Sequence, residues 1–180
     1  KVDLTSSKKA SLEFYNNFYE RFFLLYNGYN ELSKEWLEGK IRVAKLIEKK
    51  LSLRSDVLSY GCGIGFIEKY IAESRDDIKL DCYDYSTNAS KWIKNQKRIN
   101  FITDVKKLKK YDTIFMVELL YSLNNEEILI LLNNLKKLLN KKGQIIISNT
   151  SLKPRENGLV EKNVITQIYK FIKDHTRPFY

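Results

Sequence analysis

Three glycines at alternate positions, Gly61, Gly63 and Gly65, stand directly after the run Asp56-Val57-Leu58-Ser59-Tyr60 and before a segment with helical spacing. That placement lets the backbone turn sharply and approach a ligand with no Cβ in the way. The first amides of the following helix are unpaired and carry the positive end of its dipole, which suits the carboxylate of an amino-acid-like ligand. Asp84 ends the next apolar run, Lys79-Leu80-Asp81-Cys82-Tyr83, nineteen positions beyond Gly65. A carboxylate there can accept hydrogen bonds from the vicinal hydroxyls of a ribose, or it can simply open a turn with Ser86. The strand, glycine loop and helix upstream favour the ribose. The spacing also separates cofactors. A dinucleotide fingerprint reads G-x-G-x-x-G, but here Phe66 stands where the last glycine would be.

These groups need elements that bring them to one edge. Leu12 to Tyr26 is aromatic-rich and predicts a helix that Gly28 breaks. Ser33 can cap a second helix, on which Leu37, Ile41, Ala44 and Ile47 follow helical spacing. Short strands are expected at 56–60, 79–83, 100–103, 113–117 and 144–148. Helices are expected after the glycine loop (Ile67, Tyr70, Ile71), over Asn88 to Gln96, over Asn125 to Leu139 and over Val160 to Lys173. Asn124 with Glu127 resembles a capping box, and Gly143 stops the turn before the last strand. Strands alternating with helices imply a parallel sheet covered on both faces, with ligands at the carboxyl ends of the strands. The expected class is α/β: a Rossmann-like, doubly wound, mostly parallel sheet. Residues 1–33 are expected to form an N-terminal helical extension, and 34–180 the ligand-binding domain.

Five segments in order resemble class I S-adenosylmethionine-dependent methyltransferases, specifically the small bacterial type acting on small molecules or glycans. They are 57–65, Tyr83-Asp84-Tyr85-Ser86, Phe101-Ile102-Thr103-Asp104, 111–123 and 138–147. The resemblance covers roughly Leu37 to Asn149. It implies S-adenosylmethionine as cofactor and S-adenosylhomocysteine as product. It puts Tyr60, Gly61, Cys62, Gly63 and Gly65 around the cofactor, with Asp84, Tyr85 and Ser86 at the ribose, Asp104 by the adenine, and Val117 on the fourth strand. Three departures stand out. Ser59 replaces the acid that the family usually carries there to orient the methionine moiety. Ser122 replaces a histidine found in many members. The family's last two strands are not both recognisable after Asn149, so a sheet without them is the expectation.

Methyl transfer from a sulfonium is an in-line displacement that needs alignment and, for some acceptors, a base. Glu118 and Tyr121, at the end of the fourth strand, are the candidates. Glu118 is either a base or a carboxylate that shapes or caps the pocket. Tyr121 either contacts substrate or sulfonium or forms a wall. Tyr15 and Tyr19, four residues apart on one helical face, belong either to a lid over the cofactor or to plain aromatic packing.

The whole-chain numbers limit the alternatives. The 180 residues, 43% of them hydrophobic and 13% aromatic, suit one folded domain. No apolar run approaches the length of a membrane span, and no signal peptide is recognisable at the start. Two cysteines, Cys62 and Cys82, and one histidine argue against a disulfide framework or a metal site and fit a cytoplasmic compartment. The net charge of +10 has two readings: nucleic-acid binding or the lysine bias of an AT-rich genome. Lysine pairs scattered along the chain favour the second. The expected activity is methyl transfer to an oxygen or nitrogen of a small molecule or sugar. Its rivals are an RNA methyltransferase and a non-catalytic cofactor-binding module.

Overall fold

In the computed structural model, which describes residues 11–149, two helices precede a five-stranded sheet. Helix α1 (Leu12–Leu25) is followed by α2 (Lys34–Glu48), β1 (Asp56–Tyr60), α3 (Phe66–Ser74), β2 (Lys79–Tyr83), β3 (Ile99–Ile102), β4 (Tyr111–Val117), α4 (Asn125–Lys137) and β5 (Leu139–Ser148). The strand order is β3-β2-β1-β4-β5, and every pairing is parallel. The chain therefore walks outward from β1 to β3, then returns to β1's other edge with β4. This reversal makes a crevice between β1 and β4 at the carboxyl ends, where such sheets bind ligands.

Alternation along β1 explains the layers. Val57 and Leu58 are both fully buried but point to opposite faces. Val57 joins Ala44 and Ile47 of α2 and Ile71 of α3. Leu58 joins Ile114, Met116 and Leu135, the last of these on α4. Each such side chain contributes about 1.5–3 kcal/mol on burial, so each face holds its own helices. Helix α1 joins neither face: its Tyr19 and Phe23 pack on Ala89, with Trp92 against them.

The caps behave as the sequence suggests. The Ser33 hydroxyl accepts from the Trp36 amide at 3.3 Å. Asn124 and Glu127 form a reciprocal capping box at the start of α4. Elsewhere the structure differs from expectation. Residues 88–96 hold no α-helix. A short 3-10 helix, Thr87–Trp92, stands there, with the Ser90 hydroxyl donating to Thr87 O at 2.7 Å. Strand β4 begins at Tyr111, two residues early, because Tyr111 is fully buried and its hydroxyl donates to Asp81 Oδ2 at 2.8 Å. Strand β5 begins at Leu139, before Gly143, and its pairing with β4 slips between Tyr111 and Thr113. Gly143 fits this irregularity because a Cβ would lie 3.0 Å from Tyr111 O. The expected helix over Val160 to Lys173 lies outside the described residues.

Candidate functional site

A cavity of about 880 Å³ opens at the ends of β1, β2 and β4, within the range of pockets that enclose small molecules. Its floor is the glycine loop. Gly61, Gly63 and Gly65 have φ of +79°, +56° and +75°, a region costly for residues with a Cβ. At Gly65 packing adds a second demand, since a Cβ would fall 2.0 Å from an Ile93 methyl. The loop is tied to β2 by its own backbone. The amides of Gly61 and Cys62 both donate to Tyr83 O, at 2.7 and 3.1 Å. The Gly63 amide donates to Asp84 Oδ2 at 2.8 Å, and the Ser86 amide to Asp84 Oδ1 at 3.0 Å.

Asp84 is buried and lines the cavity. Burial raises its carboxyl above the usual range, while the amides of Gly63, Ser86 and Tyr85 pull the other way. Each oxygen takes one named side-chain–amide bond and retains lone-pair capacity for a further donor. Tyr60 and Tyr83 stand with ring centroids 5.0 Å apart. Burial lifts the Tyr60 phenol to about 12, so it stays protonated at neutral pH. Cys62 lines the cavity too, with its thiol pushed up by burial, which keeps it a poor nucleophile.

Helix α1 covers this side. A Cβ on Gly63 would lie 3.4 Å from the Tyr19 hydroxyl, and Tyr15 meets the half-exposed Tyr85 edge-on at 6.4 Å. Two anchors hold the cover that the sequence did not single out. Asn16 Oδ1 accepts from the buried Ser86 hydroxyl at 2.6 Å, and the Tyr29 hydroxyl donates to Ile64 O at 2.6 Å. Asp104 stands apart from the cavity lining. Its carboxylate accepts from the Lys106 amide at 2.9 Å and so caps its own turn.

The opposite wall follows β4. Val117, Glu118, Leu119 and Ser122 line it. Glu118 has a φ of +54°, a conformation that costs a non-glycine residue about 1–3 kcal/mol. Two contacts hold it: its amide donates to Ser148 O at 2.7 Å, and its carboxylate meets Lys40 Nζ of α2 at 2.5 Å. Lys40 itself lies over the Trp36 ring. The Ser122 hydroxyl donates back to Leu119 O at 2.7 Å. Tyr121 falls in the short 3-10 turn after β4, and its side chain lies outside what the structure describes.

Sequence reasoning passed over Glu68 and Lys40. Glu68, in the first turn of α3, is 3% exposed and lines the cavity, where it accepts from the Ser59 hydroxyl at 2.5 Å. Nothing local marks either residue. Glu68 reads as one more helix acid, and Lys40 as one of many lysines. Among the described residues no group of three or more His, Cys, Asp or Glu is arranged to hold a metal, and no helix is long and apolar enough to cross a membrane.

The sequence model of a family described as a methyltransferase domain matches residues 26–169. No curated protein matches the sequence. Among solved structures, a coclaurine N-methyltransferase bound to N-methylheliamine and S-adenosylhomocysteine is similar at TM-score 0.54 and 19% identity, over 67% of this chain and 38% of that one. A phosphoethanolamine N-methyltransferase from Haemonchus contortus, in complex with phosphoethanolamine and S-adenosylhomocysteine, gives 0.54 and 19%, over 86% and 36%. The S-adenosylhomocysteine complex of DhpI gives 0.58 and 12%, over 76% and 65%. These likenesses show the fold: a Rossmann-like α/β sheet. The present chain spans about two-fifths or less of the first two proteins and under two-thirds of the third.

Proposed function

This chain belongs to the methyltransferase-domain family, and on that footing we propose that it transfers a methyl group from S-adenosylmethionine to an oxygen or nitrogen of a small molecule or sugar, leaving S-adenosylhomocysteine. One observation carries the reading: the Gly63 amide is fixed to the Asp84 carboxylate at 2.8 Å on the cavity floor. That bond sets a close-approach backbone and a sugar-binding acid side by side. The cavity volume of about 880 Å³ leaves room for a nucleoside with an amino-acid tail and for part of an acceptor.

In this reading Asp84 accepts from the ribose hydroxyls. Gly61, Cys62 and Gly63 offer backbone to the ligand, and Gly65 delivers the chain into α3. Tyr60 and Tyr85 flank the sugar, the buried Ser86 acts on it through its amide's hold on Asp84, Asp104 would serve the adenine end outside the present cavity lining, and Val117 forms the wall across from the loop. Tyr15 and Tyr19, with the rest of residues 11–33, act as a lid over the cavity of the domain that begins at residue 34. The cofactor supplies an activated methyl on sulfur, and the protein's main task is alignment. Glu118 is engaged by Lys40 and shapes the acceptor side, where Tyr121 would also act. The molecules bound in the similar structures, N-methylheliamine and phosphoethanolamine, support a small acceptor. The free thiols of Cys62 and Cys82 support a cytoplasmic site of action.

Calorimetry with S-adenosylmethionine and NAD side by side tests the reading. Saturable binding of the first and none of the second is expected. A chain that ignores S-adenosylmethionine would overturn it.

A further inference from the structure

Glu68 has no part in the assignment above, yet among the described residues it is the least exposed carboxylate, at 3%. Burying a carboxylate is costly unless a cation or several donors meet it. Its donors are the neutral Ser59 hydroxyl at 2.5 Å and its own backbone amide, and neither carries a charge. None of the ion pairs among the described residues includes Glu68. Lys40 acts on it through its field from α2, but that ammonium is in contact with Glu118. An acid at the third position of a helix usually reaches back to the cap residue's amide. Here the Gly65 amide donates to Cys62 O instead, and the Glu68 carboxyl lies against β1, on the cavity wall beneath the glycine loop.

A ligand whose carboxylate meets the amides of the loop and of the start of α3 carries its α-ammonium one bond away from the same carbon. We propose that Glu68, oriented by Ser59, accepts the α-ammonium of the cofactor's amino-acid end. The assignment rests on the methyl-donor reading given above. It also gives the Ser59 departure a physical meaning. The resemblance expects an acid at position 59; in this chain a carboxylate comes from the helix instead, nine positions later, and the strand residue is its hydrogen-bond donor.

The groups facing Glu68 are Asp84 at the end of β2, Lys40 on α2, Cys62 in the loop, Cys82 on β2 and Tyr29 between α1 and α2. Burial lifts the Glu68 carboxyl to about 7. Ser59, the residue's own amide and Lys40 draw it down, and Asp84 pushes it up. The thiols and the Tyr29 phenol are raised by burial and stay neutral there. An ammonium favours the ionised acid, so ligand affinity should climb as pH rises through about 7.

The test is calorimetry on the full chain with two ligands: S-adenosylhomocysteine and its analogue bearing hydrogen in place of the α-amino group. Glu68→Gln should weaken the first by about tenfold or more, leave the second within about twofold, and flatten the pH dependence of the first. Equal losses for both ligands, or none, would overturn the assignment. Wild-type chain that binds neither ligand would instead overturn the methyl-donor reading. Ser59→Ala covers the case of a poorly folding Gln variant. Removing that hydroxyl should move the midpoint of the affinity–pH curve upward, and an unmoved midpoint counts against Glu68.

Discussion

Where β1 and β2 end, the cavity wall is made by backbone. Amides of Gly61, Cys62 and Gly63 close onto Tyr83 O and Asp84, and a Cβ has no place at Gly65. Where β4 ends, the wall is made by side chains reaching across from other elements, with Lys40 of α2 holding Glu118 at 2.5 Å and Leu119 lying against Gly61. The glycine turns of the first wall cannot be reshaped by one substitution without refolding the loop; only the carboxylate they hold can be altered. A side-chain wall can be reshaped in that way. The difference suits a site that keeps one ligand fixed on the first side and varies the second ligand on the other.

The sharpest way to break that contrast is Gly65→Ala. Its Cβ would lie 2.0 Å from Ile93 at a φ of +75°. A destabilisation of about 3 kcal/mol or more is expected, read as a lower denaturant midpoint, with loss of S-adenosylhomocysteine binding. Next comes Asp84→Asn, whose NH2 would face one of the two amides that the carboxylate now accepts; it should cost about 1–3 kcal/mol of stability and reduce that affinity by about 10- to 100-fold. Calorimetry distinguishes this from a folding defect when paired with a melting curve.

On the opposite wall the effects should be smaller. Lys40→Met removes the ammonium that lies over the Trp36 ring and with it the ion pair with Glu118, whose side chain is 41% exposed. Screening by solvent limits the expected coupling, measured in a double-mutant cycle with Glu118→Gln, to about 1 kcal/mol or less. Cofactor affinity at alkaline pH should stay within about twofold. A tenfold loss there would erase the distinction between the walls. The smallest effect is expected from Asn124→Ala, which removes the capping box of α4. About 1 kcal/mol of stability should go, with no change in ligand affinity.

The glycine loop, Asp84, the capping box and the alternation of strands with helices were all legible because each is written in neighbouring residues. The Ser33 cap, three residues from Trp36, is of this kind. The misplaced elements were those decided by tertiary contacts. The segment 87–92 forms a 3-10 turn packed through Ala89 and Trp92 against α1, and β5 runs through Gly143 because β4 accepts a slipped register. Tyr29 looked like one tyrosine among twelve, yet its hydroxyl reaches Ile64, 35 positions away.

The sequence by itself determined the α/β class, the place where the backbone must approach a ligand, and the acid that stands beside it. Those follow from periodicity and from conformations that only glycine adopts easily. Only the tertiary structure decided which distant side chains share the cavity. Lys40 meets Glu118 across 78 positions, and Asn16 meets Ser86 across 70. Glu68 faces Ser59 because α3 folds back over β1. Such pairings depend on how helices lie across the sheet, and no local pattern of residue types encodes that arrangement.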